Sequence, residues 1–378
     1  MLHLLVRLGP QAGWRIEAVT VNHGLRPEAQ AEAEYVADAC ARIDVPHAIL
    51  NWQRSQTTGN LMDQASRARR QLIAQWADER GIGHVALGHT VDDQAETFMM
   101  RLARQSGVDG LSAMRQSWLE QGIIWVRPLI YCYRAELRNF LRRAGQSWIE
   151  DPTNDDPAFD RAKVRRTMPV LADIGVSGYA LSHVARHMAT ARDALDDWTS
   201  EVAAKIMHID LGDVVFDRAG LVSAHPEVRR RLLLRALGWI SSSDYPPRAD
   251  KWGKLEQSIV GGRSHSLMGC LVLASQDNIR VTRELDAVRT FIAQTDAIWD
   301  NRWQLSGLHD PLLQIRALGE TGLQSCPDWR ATGFPRTSLL SSPAVWQGDR
   351  LIAAPLAGFN EAWQARIVAD FHSSLLSH

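Results

Sequence analysis

The first 150 residues alternate short runs rich in β-branched residues with amphipathic helical stretches, and that order most limits the folds open to the chain. Trp14 to Asn22 (WRIEAVTVN) reads as a strand, Glu28 to Arg42 as a helix, His47 to Trp52 as a strand and Leu61 to Glu79 as a helix. His84 to Gly88 gives a short buried strand before a helix from Asp92 to Arg104. Strand and helix in turn predict an α/β fold, a parallel sheet with helices on both faces. In such sheets ligands bind beyond the carboxyl ends of strands, near a topological switch point. Two segments hold that position: Val21-Asn22-His23-Gly24 and Leu87-Gly88-His89-Thr90.

A turn-rich stretch from Glu150 to Pro157 (EDPTNDDP) closes this region, since Pro, Asn and Asp each favour turns. The chain is long enough for further domains. We expect a first domain over 1–175, a mostly helical one over 176–295, and a small α+β one over 298–378. Residues from Gly178 to Leu237 read as mostly helical, and Gly261-Gly262 with the following SHSLMGCLVLAS as a hairpin-like segment.

With 45% hydrophobic residues the chain is not of a disordered class. Its apolar runs are broken by charge, as Arg235 breaks Leu232 to Ile240, so no membrane span is expected. The start shows no secretion signal, and the four scattered cysteines read as reduced thiols of a cytoplasmic protein. The formal net charge of −1 does not announce a nucleic-acid partner. A local surplus of twelve Lys or Arg against eight Asp or Glu, from Arg101 to Pro169, leaves that partner open, because counterion release depends on the contacting patch.

The most informative segment is GHTVDDQAETFMMRLARQSGVDGLSAM, Gly88 to Met114. If a helix begins near Thr90, Asp92 and Glu96 share one face at the mouth of a strand. Carboxylates there suit Mg2+ and nucleotide phosphates, because a hard cation prefers oxygen. The alternative is structural: Thr90-x-x-Asp93 is also a capping pattern, and acids favour a first helical turn.

That segment resembles the signature of the tRNA(Ile)-lysidine synthases, in the PP-loop (N-type) ATP pyrophosphatase superfamily. Four further blocks agree in order: VNHGLRPEAQAEAEYV, ASRARRQLIAQWA (with Arg70 where a Tyr is usual), RPLIYCYRAELRNFL and WIEDPTNDDPAFDRAKVRRTMPVL. The likeness runs from residue 1 to about 175, and beyond it rests chiefly on GDRLIAAPLAGF. The family opens with a strand and a Ser-Gly-Gly-x-Asp-Ser loop whose backbone N–H groups cradle the ATP pyrophosphate. No such string occurs here, and Met1-Leu2-His3-Leu4-Leu5 resembles the helix after the loop. We therefore expect an N-terminally truncated member.

The resemblance implies ATP and Mg2+ as cofactors, with free lysine and the isoleucine tRNA of anticodon CAU as partners. ATP adenylates the C2 oxygen of the wobble cytidine, and the lysine ε-amine then attacks C2 and expels AMP. Asp92 and Asp93 are expected to bind Mg2+ or orient the lysine amine, Asp92 first because capping competes for Asp93. Arg69 and Arg101 would contact phosphate or the adenylated intermediate, and His23, His89 and Glu96 would line the nucleotide site. Glu150, Asp151 and Asn154 would order a loop near the tRNA. The basic cluster Arg161, Lys163, Arg165 and Arg166 is either a phosphate-contacting edge or an exposed helix face. Arg229 and Arg230, with Arg231, either grip tRNA or form the polar side of an amphipathic helix. Oligomeric state is left open, a homodimer being one option. The competing function is an inactive tRNA-binding remnant; a metal hydrolase using His89, Asp92 and Glu96 would need further ligands that the sequence does not clearly offer. A sulfur-inserting PP-loop modifier ranks lower, because the Cys-x-x-Cys pair it needs is absent.

Overall fold

The computed structural model describes residues 1–24, 27–52, 61–150, 160–243, 247, 249–360 and 362–368. It divides into two compact units, Met1–Arg192 and Asp193–His378.

Unit 1 opens with α1 (Leu2–Leu8), followed by β1 (Ala18–Asn22), α2 (Ala29–Ala41), β2 (His47–Asn51), α3 (Leu61–Glu79), β3 (His84–Ala86) and α4 (Val91–Ala103). The short α5 (Val108–Leu111), the hairpin β4 (Ser117–Glu120) and β5 (Ile123–Val126), and helices α6 (Arg134–Arg143), α7 (Asp160–Asp173) and α8 (Gly178–Ile206) complete it, α8 running past the unit boundary. Among the described residues the predicted alternation is present, but the parallel pairing is split between sheets rather than joined in one. β1 pairs parallel with β2, and β3 parallel with β5, in two separate small sheets; β4 joins β5 antiparallel. The β4–β5 turn is made by Gln121 and Gly122, both at positive φ, which reverses the chain within two residues.

One helix ties the two sheets together. Ile73, Ala74, Trp76 and Ala77 of α3 pack with Val85, Ile123 and Trp125, and with the half-buried Val19, Val21, Ala48 and Leu50. A second cluster joins Ala95 and Phe98 of α4 to Ala113 and to Leu181 and Ala185 of α8. Parallel pairing puts the carboxyl ends of β1 and β2 on one side of their sheet, and likewise those of β3 and β5. Those ends carry His23, Trp52, His89 and Arg127.

Unit 2 is antiparallel. The region expected to be helical through Leu237 contains the hairpin β6 (Met207–Asp210) and β7 (Asp213–Asp217). It joins β8 (His265–Leu267), β9 (Cys270–Ala274) and β10 (Asn278–Arg283) in a five-stranded sheet of order β6-β7-β10-β9-β8. Helices α9 (Arg218–Ser223), α10 (Pro226–Ser241) and α11 (Ala249–Val260) accompany it, and Leu232, Leu233, Leu237 and Ile240 of α10 are fully buried against Val272, Ile279 and Val281. A four-stranded sheet and a strand pair follow, between Ala293 and Ile367.

Candidate functional site

The site is built on the start of α4. Thr90 is the N-cap: its backbone N–H and hydroxyl donate to Asp93 Oδ2 at 2.9 and 2.7 Å, closing the capping box. Asp93 is therefore a structural cap. It is also a charged neighbour, because its Oδ1 accepts from Arg134 Nη2 at 3.1 Å. Burial alone would raise its pKa. The Thr90 bonds and the charges of Arg134 and Arg161 outweigh that and hold the carboxyl below the ordinary range. Asp92 is half-buried, and its Oδ2 accepts from the backbone N–H of Arg134 at 2.8 Å.

Glu96 lies one turn further along and is the anchor of the cluster. Its side chain is 3% exposed, with Arg165 at 2.8 Å, Arg161 at 3.3 Å and Arg134 at 3.8 Å. Arg161 and Arg165 stand four apart on α7 and so share the face turned to α4. Lys163 and Arg166 are exposed, Lys163 beside Asp160 at 3.2 Å. The basic cluster thus divides: two arginines are pinned by Glu96, and two basic residues face solvent.

At the strand ends, His89 Nδ1 accepts from Arg127 Nε at 3.1 Å, while the Arg127 guanidinium lies 4.2 Å from the centre of the Trp118 ring. Burial, then the charge of Arg127, pushes His89 down to about 4, with Arg161 and Arg69 adding and Asp93 opposing. The ring is neutral at pH 7. Because Nδ1 accepts, Nε2 carries the proton and is a donor. Burial also lowers Arg127, to about 10, still charged at neutrality. His23 Nε2 accepts from Arg69 Nε at 3.2 Å and meets Trp52 edge-on at 5.7 Å. Burial and the Arg69 charge lower its pKa, and its buried Nδ1 has no hydrogen-bond partner among the described residues.

Other candidates lie elsewhere. Arg101 Nη1 donates to the carbonyls of Gly110 and Ala113, both at 2.8 Å, fastening the segment after α4. Arg229 is buried, bonded to Val222 O at 2.9 Å and Glu256 at 3.1 Å, and Arg230 forks Glu227 at 2.6 and 2.7 Å. A guanidinium enclosed as Arg229 is cannot be offered to an RNA phosphate. Glu150 pairs with Arg138 at 2.6 Å, while Asp151 and Asn154 fall outside the described residues. Arg127 and Arg134 were not singled out from sequence. Their signal was positional: Arg127 directly follows a strand, and Arg134 opens a helix.

Among the described residues no group of three or more His, Cys, Asp or Glu could hold a metal ion. Asp93 and Glu96 already face arginines, so the acid cluster does not fit Mg2+, and we derive no step through it. For ATP phosphates the set fits better, since the positive charges of Arg127, Arg161 and Arg69 all act on His89 just past β3.

The sequence profile of the PP-loop domain matches residues 1–171. This range begins at residue 1 and gives no support to the expectation of a truncated start. A tRNA(Ile)-lysidine synthase of Ruegeria pomeroyi is 44% identical over 100% of this chain and 91% of its own length. Those of Wolbachia pipientis wMel (29% identical, 91% and 82%) and Zymomonas mobilis (38%, 63% and 72%) are further relatives. A solved U34-tRNA thiolase, NcsA from Methanococcus maripaludis with its [4Fe-4S] cluster, covers 49% of this chain and 68% of its own, with TM-score 0.41 and 16% identity, too slight a likeness to carry an argument. The profile match thus places residues 1–171 in the class of PP-loop domains. Within that class, the chain belongs to the tRNA(Ile)-lysidine synthase family.

Proposed function

We propose that this chain ligates lysine to C2 of the wobble cytidine in the isoleucine tRNA of anticodon CAU, using ATP and releasing AMP and pyrophosphate. The observation that carries this is the match, over the whole chain, to a relative of that name. The site supports it chemically. ATP adenylates the C2 oxygen, so negative charge on the phosphates must be offset; Arg127, Arg161 and Arg69 supply positive charge there, and His89 Nε2–H a neutral donor. The lysine amine must be held as it attacks C2. Asp92 suits that task better than Asp93, because both Asp93 oxygens are already bonded while Asp92 is held by one. Glu96 keeps the arginines in place, and Lys163 and Arg166 are exposed for phosphate contact.

We assign the body of the tRNA to the region past residue 193 and place the reaction in the cytoplasm. No helix among the described residues is long and apolar enough to cross a membrane. The test is incubation with labelled lysine, ATP and the tRNA. Label should enter only the CAU-anticodon isoleucine tRNA, and absence of label would overturn the assignment.

A further inference from the structure

Helix α8 carries a ladder of rings that the reaction chemistry does not use. Tyr179, His183 and His187 stand at intervals of four, so they lie on one face. Tyr179 and His183 have centroids 5.9 Å apart, and His183 and His187 meet at 4.7 Å, edge to face. Arg186 extends the same face, its Nη2 2.6 Å from His183 Nε2. The opposite face is the buried one, through Leu181 and Ala185. The ladder face is open: Tyr179 is 59% exposed, and Arg186 and His187 are exposed. Large rings on a solvated helix face gain nothing from the core, and a solvent-facing helix is more cheaply built from Glu and Lys.

The ladder starts beside the site. The backbone N–H of Tyr179 donates to the Tyr133 hydroxyl at 3.0 Å. Tyr133 is the N-cap of α6, whose first residue, Arg134, holds Asp92 through its backbone and Asp93 through its side chain. The junction is close-packed: a Cβ at Gly178 would reach ordinary van der Waals contact with Tyr133, Ala95 and Val91, at 3.6–3.9 Å.

We propose that Tyr179, His183 and His187 form a stacking platform for unpaired bases of an RNA loop, with Arg186 contacting the phosphate between them. π-faces beside a guanidinium match a single-stranded nucleic acid, which offers flat bases and a charged backbone together. A duplex would bury those faces within its own stack. The platform rests on the proposed tRNA substrate: a loop whose wobble base is drawn toward Asp92 brings its neighbouring bases to the start of α8.

The test uses the full chain and a transcript of the CAU-anticodon isoleucine tRNA with 2-aminopurine at a loop adenine, whose fluorescence stacking quenches. The wild-type chain should quench it on binding. Tyr179→Ala/His183→Ala/His187→Ala should abolish the quench and weaken binding by about tenfold or more. Tyr179→Phe, which keeps the ring, should retain both. Arg186→Gln should lower the salt slope of binding by about one while leaving the quench. Should the triple variant lose its circular dichroism melt, His187→Ala alone makes the same comparison, with about a threefold loss expected. Wild-type quench and affinity in the alanine variants would overturn the platform, while lysine incorporation by the wild type would leave the proposed reaction standing. Quenching without lysine incorporation would do the reverse.

Discussion

The two units use the same pair of residue types, arginine and carboxylate, in opposite ways. In unit 2, Arg283 and Asp300 form a two-bond fork at 3.0 Å with side chains 10% and 3% exposed, beside the enclosed Arg302. Arg280 bridges Asp210 and Asp213 at 2.6 and 2.8 Å, itself 13% exposed. In unit 1, Arg134, Arg161 and Arg165 crowd Glu96 but remain 30%, 43% and 25% exposed. Charge sealed from water fixes a fold and can do nothing else. Charge left half open can still receive a ligand, and the three partly exposed arginines of unit 1 are divided between two carboxylates, Glu96 and Asp93.

The sharpest way to break this comparison is to remove Asp300. Burial drives both partners toward neutrality, raising Asp300 and lowering Arg302 to about 10, and each charge relies on the other. Asp300→Asn keeps a residue that tolerates the positive φ of 50° there. It leaves Arg283 and Arg302 buried without that countercharge, and we expect a loss of about 3–5 kcal/mol in urea unfolding. A loss below about 1 kcal/mol would mean that the unit 2 pair is as open to solvent as a surface one.

In unit 1 the corresponding change should spare the fold and strike the reaction. Asp92→Asn retains an oxygen for the Arg134 N–H but removes the charge that would hold the lysine amine. Lysidine formation should fall by about 100-fold, as for loss of a positioned group at a reacting centre, with an unchanged melting temperature. Normal activity would make Asp92 a structural acid like those of unit 2.

The distinction was only partly legible in the sequence. The helix over Leu61–Glu79 and the strand beginning at His47 appear where their periodicity put them. The β8–β9 hairpin follows from Met268-Gly269, a two-residue turn with both φ positive. The β6–β7 hairpin was hidden because its strands are four and five residues long, pressed between a 29-residue helix and the next helix start. The parallel sheet was over-read because strand order cannot be taken from alternation alone. At the site, the spacing of Asp92, Asp93 and Glu96 gave the acids and even the cap. It could not give Arg127 or Arg134, which arrive from 38 and 41 residues away. For the same reason Arg229 looked available, since Glu256 is 27 residues from it in the chain.

The smallest effect tests whether the unit 1 site is as enclosed around His89 as its neighbours imply. Arg127, Arg161 and Arg69 disfavour the charged ring, Asp93 favours it, and burial outweighs them all, leaving the pKa at about 4. The unfolded chain takes up a proton on this residue as pH falls through about 6.5. The folded chain does so only near 4. Between those values the unfolded state holds more protons, so this contribution to stability is full above about 6.5 and is lost as pH falls toward 4. His89→Gln keeps an acceptor for Arg127 and cannot titrate. The melting temperature of the wild type relative to this variant should therefore drop steadily from pH 7 to pH 4.5. The slope should correspond to less than about one proton, because the ring is partly exposed and solvent screens Arg127. A difference that stays constant over that range would show a histidine that titrates as it does in water. The strand ends of unit 1 would then be too wet to keep His89 as the neutral donor proposed for the adenylation step.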